Sequence, residues 1–332
     1  MNYYFRFGSL YNYNASSKAV NDTYRILEQI GYVPINIVYD GKKSFLYKLY
    51  IALKAILRIS QQLFHAKKDE IFLLQWPRYS IFNKWILNPL LLFFDKKYYL
   101  LIHDINLLRY GAEWKRHTAV ENYMFRHAER LIVHSEPMRD YLLDSGIQKD
   151  KIRILTTFDY LVENRNQMKR SNGKTIVFAG NLAKSEFLAL IDSLPALHFN
   201  LYGKGNYASH PNITYKGCFD PADLSQIEGS WGLVWDGDSI DACEGLIGNY
   251  LRYNAPHKLS LYIAAELPVI VWSQSAFANY VRDKRLGIVV NSLKEIESVI
   301  QSISVEDYDD IMRHVVEESS LLRNGAHLKH VL

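Results

Sequence analysis

Short apolar runs alternate with amphipathic stretches along almost the whole chain. In the first half, the apolar runs predict strands at Tyr3–Phe7, Val33–Val38, Ile71–Gln75, Tyr98–His103, Leu131–His134 and Ile152–Leu155. The stretches between them have helical spacing and predict helices at Ser17–Ile30, Ser44–Phe64, Ile81–Phe94, Ala119–His127 and Met138–Asp144. Near-continuous apolar strands that alternate with helices indicate a parallel sheet covered on both faces.

The alternation starts again after a polar segment at Glu163–Lys174. It predicts strands at Thr175–Ala179, His198–Tyr202, Trp231–Trp235, Pro268–Trp272 and Gly287–Val290. It predicts helices at Lys184–Ile191, Pro221–Glu228, Lys258–Glu266, Ser275–Val281, Leu293–Ile303, Val305–Glu317 and Ser319–His330. The predicted fold class is α/β, with two Rossmann-like doubly wound domains that face a central cleft.

We place the N-terminal domain at residues 1–160 and the C-terminal domain at residues 161–317, with a last helix at about 318–332 that packs back on the first domain. Ligands of doubly wound sheets bind beyond the carboxyl ends of the strands, at the point where the strand order reverses. The residues that follow each strand therefore carry the candidate chemistry.

Charge is distributed unevenly along the 332 residues. The net charge is +4, but residues 1–155 carry +9 and residues 156–332 carry −5. A basic half joined to an acidic half suggests that one of them faces an anionic partner. Only two cysteines occur, Cys218 and Cys243, which excludes a disulfide scaffold and disfavours a cysteine metal site.

The apolar runs are too short for a membrane span. The longest one, Trp85 to Phe94, has ten residues and includes Asn88 and Pro89, whereas a spanning helix needs about 20. The first residues lack the basic and apolar regions of a secretion signal. We therefore expect a cytoplasmic protein.

Two strand ends and one helix start of the second half place candidate residues at the cleft. Gly180, Asn181 and Lys184 follow the first strand, where a close backbone approach, helix amides and an ammonium would attract phosphate. Tyr202 and Lys204 lie in a tight Gly-x-Gly turn, which lacks the third glycine of a dinucleotide fingerprint.

The strongest of these signals is the segment Asn254–Ser260. Pro256 is placed to open a helix, which puts His257 and Lys258 at its amino end. Unpaired amides, the positive end of the helix dipole and an ammonium together can hold a diphosphate without a divalent metal.

Asp236 and Asp238 follow the strand Trp231–Trp235. We consider three interpretations of this pair, from the most favoured to the least: a turn with side-chain hydrogen bonds to the backbone, hydrogen bonding to a substrate, and a metal site. An EF-hand is excluded because Asp241 and Ile247 stand where that loop needs Gly and Glu. We expect no metal and no cofactor.

The first half offers a candidate general base. His103 and Asp104 follow the strand that begins at Tyr98, and a carboxylate beside an imidazole at a strand end can accept a proton. An alternative is that Asp104 caps a helix and His103 lies in the wall. Ser9, Asn14 and Glu136 follow other strands and are candidates for contact with an acceptor.

Residues 42–68 form a basic amphipathic stretch without an acidic residue. Such a helix suits an anionic membrane surface. A core-packed helix with a solvated basic rim is the alternative. No nucleic-acid reading motif accompanies the basic residues, so we expect no nucleic-acid partner.

The order of several motifs resembles that of bacterial sugar-nucleotide glycosyltransferases of the GT-B kind, above all galactofuranosyltransferases of surface polysaccharide synthesis and, more distantly, streptococcal adhesin glucosyltransferases. The similar segments are Leu101–Ile105, Phe158–Val162, Phe178–Leu182, Gly232–Ser239, Asn254–Lys258 and Glu266–Ile270. The first hundred residues match mainly in layout.

The resemblance implies a UDP-sugar held by the second domain and transfer with inversion at the anomeric carbon. It implies that Gly180, Asn181, Lys184, Tyr202, His257 and Lys258 line the donor site. Asp104 would then serve as the base, and Lys258 would stabilise the departing UDP. The Glu-x7-Glu pair of retaining GT-B enzymes is not found, since Leu261 stands near the position of its second glutamate.

The expected reaction transfers galactofuranose from UDP-galactofuranose to a hydroxyl of a surface-polysaccharide intermediate, carried on a lipid at the inner face of the membrane. Three alternatives remain open: glucosyl transfer from UDP-glucose to a glycosylated protein, a metal-dependent transferase that uses Asp236 and Asp238, and a non-catalytic nucleotide-sugar-binding partner. The formation of a homo-oligomer is also left open.

Overall fold

A computed structural model of the chain describes residues 1–8, 15–38, 45–77, 87–111, 118–165, 170–205 and 210–332. Within these ranges, each half of the chain forms a six-stranded sheet in which every pair of neighbours is parallel. The predicted fold class is thereby confirmed. Ser9, Asn14, Lys42, Lys43 and part of the predicted helix Ile81–Phe94 lie outside the described residues.

The first sheet has the strand order β2-β1-β3-β4-β5-β6. Its strands are β1 (Tyr3–Gly8), β2 (Val33–Val38), β3 (Phe72–Trp76), β4 (Tyr98–Ile102), β5 (Arg130–Val133) and β6 (Ile152–Ile154). The helices of this half are α1 (Ala15–Gln29), α2 (Phe45–His65), α3 (Asn88–Phe93), α4 (Asn106–Tyr110), α5 (Thr118–His127) and α6 (Glu136–Asp144).

The second sheet has the strand order β10-β9-β8-β12-β13-β14, and a separate two-stranded sheet pairs β7 with β11. The strands are β7 (Asn164–Arg165), β8 (Thr175–Ala179), β9 (His198–Tyr202), β10 (Ile213–Gly217), β11 (Asp223–Leu224), β12 (Trp231–Val234), β13 (Val269–Trp272) and β14 (Gly287–Val290). The helices are α7 (Gly245–Tyr250), α8 (His257–Ala264), α9 (Ala278–Asp283), α10 (Ile296–Ser302), α11 (Val305–Arg323) and α12 (Ala326–Val331).

Both sheets reverse their strand order once. In the first sheet β1 leads to β2 on one side, and β3 lies on the other side of β1. In the second sheet β8 leads to β9, while β12 pairs with the opposite edge of β8. The carboxyl ends of β8 and β12 therefore frame the crevice in which such sheets bind ligands.

The last two helices belong to different cores. Leu322 of α11 lies in the apolar core of the second sheet, whereas Leu328 and Val331 of α12 lie in a cluster with Leu27 of α1. Asp159 accepts hydrogen bonds from the backbone amide of Leu328 at 2.8 Å and from that of His327. The chain therefore ends against the first sheet.

Two predicted α-helices of the second half are wrong. Residues 182–193 form 3-10 helices at Leu182–Lys184 and Glu186–Ser193, and the amide of Phe187 donates to the carbonyl of Gly237 instead of to a helical partner. Residues 221–228 contain turns and β11. There Asp220 and Asp223 accept the amides of the residues two positions further on, and such local bonds compete with a helix.

Gly232 of β12 leaves room for the packed ring of Tyr262 near the crevice. A Cβ atom at this position would stand 2.3 Å from Cγ of Tyr262, a buried α8 residue whose hydroxyl accepts the amide of Ala179 at the end of β8. We expect Gly232→Ala to lower the free energy of unfolding by about 1–3 kcal/mol, because the packed ring has to move. Urea unfolding measures this change, and an unchanged midpoint would contradict the contact.

Candidate active site

Lys258 occupies the crevice between β8 and β12. Its ammonium donates to the carbonyl of Trp235 at 2.8 Å and to Oδ1 of Asp236 at 2.7 Å, and it lies 4.7 Å from the ring centroid of Phe178. Its Cδ is 3.7 Å from where a Cβ on Gly180 would be. The side chain thus places a cation where the strand order reverses, with one N–H left without an acceptor among the described residues.

The amino end of α8 adds backbone donors at the same place. Pro256 is the N-cap residue with extended backbone, and its side chain makes no capping hydrogen bond. The amides of His257 and Lys258 occupy the first two helical positions, which have no acceptor within a helix. These donors, the helix dipole and the Lys258 ammonium form a site suited to an anion.

His257 starts α8 as predicted, but its side chain is largely buried. Its ring stacks on Tyr160 with the centroids 4.9 Å apart, and its buried Nε2 has no hydrogen-bond partner among the described residues. Burial, reinforced by the nearby Lys18 ammonium, lowers the pKa of His257 to about 3. The imidazole is therefore neutral at pH 7 and adds no positive charge to the crevice.

The position of Tyr202 corrects another prediction. Its side chain is buried in the core, where its hydroxyl donates to the carbonyl of Gln226 and accepts the amide of Glu228. Only its backbone reaches the edge, since its carbonyl accepts the amide of Gly180 at 2.9 Å. Gly203 follows with φ +145°, and a Cβ there would stand 1.9 Å from the Gly180 carbonyl oxygen, so only glycine fits.

Asn181, Lys184 and Lys204 are exposed at the rim of the second sheet. Lys184 lies in the short 3-10 turn and not at the amino end of an α-helix, so the helix amides that the sequence predicts beside it are absent there. The structure leaves these three side chains free of the core and near the ends of β8 and β9.

The two aspartates after β12 lie in different surroundings. Asp236 is paired with Lys258, whereas Asp238 is exposed and lies 3.5 Å from where a Cβ on Gly245 would be. In the part of the chain that the structure describes, no group of three or more His, Cys, Asp or Glu side chains is arranged to hold a metal ion.

Asp104 lies where the two domains meet. Its Oδ1 accepts the hydroxyl of Tyr250 at 3.1 Å, and its Oδ2 is paired with Arg109 of α4. Tyr250 ends α7, which packs against α4. Burial raises the pKa of Asp104, and Arg109 and Tyr250 oppose that rise. A carboxylate with a raised pKa is a better proton acceptor than an exposed aspartate.

Two histidines lie at the edge of the first sheet, and one of them, His134, joins it to the loop before α8. Nε2 of His103 lies 2.7 Å from Oε1 of Gln75, and its ring stacks on Phe158. His134 lies 2.9 Å from the carbonyl of His103 through Nε2 and accepts the amide of Ala255 at 3.0 Å through Nδ1. Burial lowers the pKa of His134 to about 4, so at pH 7 it is neutral and can play both roles.

Of the predicted acceptor-binding residues, Glu136 lies in the part of the chain that the structure describes. Glu136 is exposed in the first turn of α6, 3.4 Å from Arg139. Ser9 and Asn14 lie outside the described part of the chain.

Sequence reasoning missed Glu121, Arg109 and Tyr250. Glu121 is buried and accepts Nε1 of Trp76 at 3.0 Å and Nδ2 of Asn106 at 2.7 Å, which fixes the turn that carries Asp104. Glu121 and Tyr250 reach the Asp104 segment from other helices, so no local signal could find them. Arg109 lies only five residues after Asp104, and that spacing is a local signal for the ion pair.

The comparison with known proteins matches each half of the chain to one domain of a family. Residues 5–170 match the N-terminal domain of glucosyltransferase 3-like proteins, and residues 176–332 match the C-terminal domain. The chain belongs to the glucosyltransferase 3-like family. It is therefore a glycosyltransferase, and its fold is GT-B, as the sequence resemblance predicts.

Two relatives of this chain are transferases of different sugars. β-1,6-galactofuranosyltransferase WbbI of Escherichia coli is 34% identical over 239 residues, which are 70% of this chain and 69% of that protein. Glucosyltransferase 3 of Streptococcus gordonii is 26% identical over 338 residues, covering 98% of this chain and 96% of that protein.

Solved structures share the two-domain fold at low identity. Anabaena HepE in complex with UDP and glucose superposes with a TM-score of 0.61 and 11% identity, covering 100% of this chain and 98% of that one. Sucrose-phosphate synthase from Thermosynechococcus elongatus has a TM-score of 0.62 and 12% identity, covering 99% and 97%.

Proposed function

We propose that the chain transfers galactofuranose from UDP-galactofuranose to a hydroxyl group of a lipid-carried surface-polysaccharide intermediate, with inversion at the anomeric carbon. One segment of the second domain, from Tyr250 to Ser260, carries this proposal. It places Lys258 in the crevice of the second sheet and brings Tyr250 to the Asp104 carboxylate of the first domain. A cation and a candidate base therefore flank the meeting point of the domains.

The donor diphosphate would bind at the amino end of α8. The amides of His257 and Lys258 and the Lys258 ammonium supply donors for its oxygens, and Gly180 allows close approach of the backbone. The structure of Anabaena HepE, which has a similar fold, contains UDP and glucose. The galactofuranose assignment follows WbbI, the relative with the higher sequence identity of the two compared above.

Inversion needs one displacement at the anomeric carbon. The acceptor oxygen forms the new bond on the face opposite UDP, and its proton goes to Asp104. The bond to the diphosphate breaks, and UDP leaves with the electron pair as an anion that Lys258 and the end of α8 stabilise. Asp104 is suited to take the proton because burial raises its pKa.

The charge balance of this site favours chemistry without a divalent ion. Asp236, one of the two residues that a metal would need, is already neutralised by the Lys258 ammonium at 2.7 Å. The leaving group then meets a cation that the chain itself provides. Turnover in the presence of a chelator is the expected result.

UDP-glucose is the second candidate donor. The streptococcal relative that aligns with nearly the whole chain is a glucosyltransferase, which favours this donor. A furanose and a pyranose pocket differ by a few side chains, so the fold does not separate the two sugars.

A donor screen tests the proposal directly. UDP release from UDP-galactofuranose, UDP-galactopyranose and UDP-glucose is measured with a panel of octyl glycosides as acceptors, with and without EDTA. We expect release from UDP-galactofuranose, unchanged by EDTA, and a β-linked product by NMR. Faster release from UDP-glucose would replace the donor, and binding of UDP without any transfer would indicate a non-catalytic protein.

A further inference from the structure

Helix α2 exposes an apolar stripe to solvent, which Ser60 and Gln61 interrupt between Leu57 and Phe64. Leu49, Leu53, Leu57 and Phe64 lie within one face of the helix, and their exposed fractions are 48%, 53%, 66% and 72%. The core-facing residues of the same helix, Ile59 and Leu63, are almost fully buried. We call the four exposed residues the α2 stripe. Such an apolar surface marks an interaction site.

Cations border the α2 stripe on the side away from the core. Lys54 and Arg58 are exposed and lie one turn apart, and Tyr50 lies beside them with its ring centroid 6.0 Å from the Lys54 ammonium. Lys67 and Lys68 follow the helix and are also exposed. The helix itself contains no acidic residue, so Lys54 and Arg58 are not balanced along it, whereas Asp69 and Glu70 directly follow Lys67 and Lys68.

A second apolar side chain lies at the far end of the stripe. Phe93, at the end of α3, has an exposed fraction of 81%. Lys96 follows it and donates to the carbonyl of Ala66 at 2.6 Å, which ties the end of α3 to the end of α2. The end of α3, with its exposed Phe93, therefore lies close to the end of α2.

We propose that α2 docks the first domain on an anionic lipid bilayer, with the α2 stripe and Phe93 inserted below the headgroups and the cations at their level. Leucine and phenylalanine on one face, lysine and arginine beside them and a tyrosine at the boundary fit the interface between water and acyl chains. Each cation near such a surface contributes to binding through the negative lipid potential.

Charge favours a bilayer over a second copy of the chain. Two copies packed stripe against stripe would bring two uncompensated rows of cations into one interface, which is unfavourable. Anionic headgroups compensate the same cations. Because α2 returns from the carboxyl edge of β2 to the amino edge of β3, the docked face begins on the side of the sheet where the ligand crevice opens.

Vesicle binding tests the proposal without donor or acceptor, so its result is independent of the proposed function. The full chain is mixed with vesicles of phosphatidylcholine alone or with 30% phosphatidylglycerol, and bound protein is measured by flotation. We expect at least tenfold stronger binding to the anionic vesicles, weakened by added NaCl because salt screens the attraction. Equal binding to both vesicles, or none, would overturn the proposal.

Two pairs of substitutions separate charge from insertion. Lys54→Gln with Arg58→Gln should weaken binding to anionic vesicles about thirtyfold. Leu53→Gln with Leu57→Gln should weaken it at least tenfold, since apolar contact is lost. All four residues are exposed, so the thermal midpoint should stay unchanged, which a melting curve verifies.

Matched controls carry the same changes elsewhere. Arg126→Gln with Lys149→Gln removes two exposed cations of the same domain, and Val316→Gln with Leu321→Gln changes two exposed apolar residues of α11. Both controls should bind as the unmodified chain does. If the control variants weaken binding as much as the α2 variants do, the stripe is not a bilayer-docking surface. The same conclusion follows if light scattering shows that the chain is a dimer without lipid and that the Leu53 and Leu57 changes convert it into a monomer.

Discussion

Replacing Asp104 by asparagine should lower the rate of sugar transfer by about a hundredfold to ten-thousandfold and leave UDP affinity unchanged. Asparagine keeps the size of the side chain and can still accept the Tyr250 hydroxyl, but it cannot take the proton of the acceptor. Titration calorimetry measures UDP affinity, and UDP release measures transfer. Retained turnover would remove Asp104 as the base.

The control for this experiment is Tyr250→Phe. It removes the 3.1 Å hydrogen bond between the domains, which asparagine at position 104 can keep, but it retains the carboxylate. If Asp104 acts as the base, Tyr250→Phe should retain most of the activity. If Asp104 only ties the two domains together, Tyr250→Phe should lose more activity than Asp104→Asn, because asparagine still accepts the Tyr250 hydroxyl.

The pH dependence provides a second readout of the base. Protonation of Asp104 removes its ability to accept a proton, so transfer should fall as the pH falls. Since burial raises the pKa of Asp104, this fall should begin at a higher pH than for an exposed aspartate. Removing the opposing charge in Arg109→Gln should shift the midpoint further up. A profile unaffected by Arg109→Gln would contradict the assignment.

Replacing Lys258 by glutamine should raise the Kd for UDP at least tenfold. A hydrogen bond from a charged donor contributes about 1.5–3 kcal/mol, and 1.4 kcal/mol corresponds to a factor of ten. Glutamine keeps most of the contact with Phe178, over whose ring the ammonium lies. Titration calorimetry with UDP measures the effect, and unchanged affinity would contradict the diphosphate site.

The Lys258→Gln experiment needs a control for the charge of Asp236. Without Lys258 the Asp236 carboxylate is unpaired and repels the phosphates, so the single variant could weaken binding indirectly. In the double variant Lys258→Gln with Asp236→Asn this repulsion is gone. UDP affinity should stay low if Lys258 contacts the diphosphate, and it should recover if the repulsion alone was responsible. Lys184→Gln removes an exposed cation at the rim and should have a smaller effect.

The sequence predicts the fold well where the signal is local. Apolar runs followed by helical spacing place strands such as Thr175–Ala179 at their observed positions, and Pro256 marks the start of α8 to within one residue. The predicted helices at Lys184–Ile191 and Pro221–Glu228 fail because backbone amides there bond to Gly237 and to aspartate side chains. Competing hydrogen bonds of this kind, to a distant carbonyl or to a nearby aspartate, are not visible in hydrophobic periodicity.

For the candidate site too, the sequence predicts the features that depend on neighbouring residues and misses those that depend on packing. A cation at the amino end of a helix can be inferred for Lys258 from neighbouring residues alone. The neutral state of His257 and the buried position of Tyr202 could not be inferred, because both follow from packing against residues such as Tyr160 and Phe219. Strand-end position identifies a residue near the crevice but not the direction of its side chain.

By itself, the order of residues determined two parallel sheets, the place along the chain where each begins, and the family. These depend on periodicity and on short motifs, which neighbouring residues set. Tertiary structure alone decided that Tyr250 reaches Asp104, that His134 joins the two domains, and that α2 leaves Leu53 and Leu57 uncovered. Burial and ion pairing depend on which distant surfaces meet, and no local pattern records that.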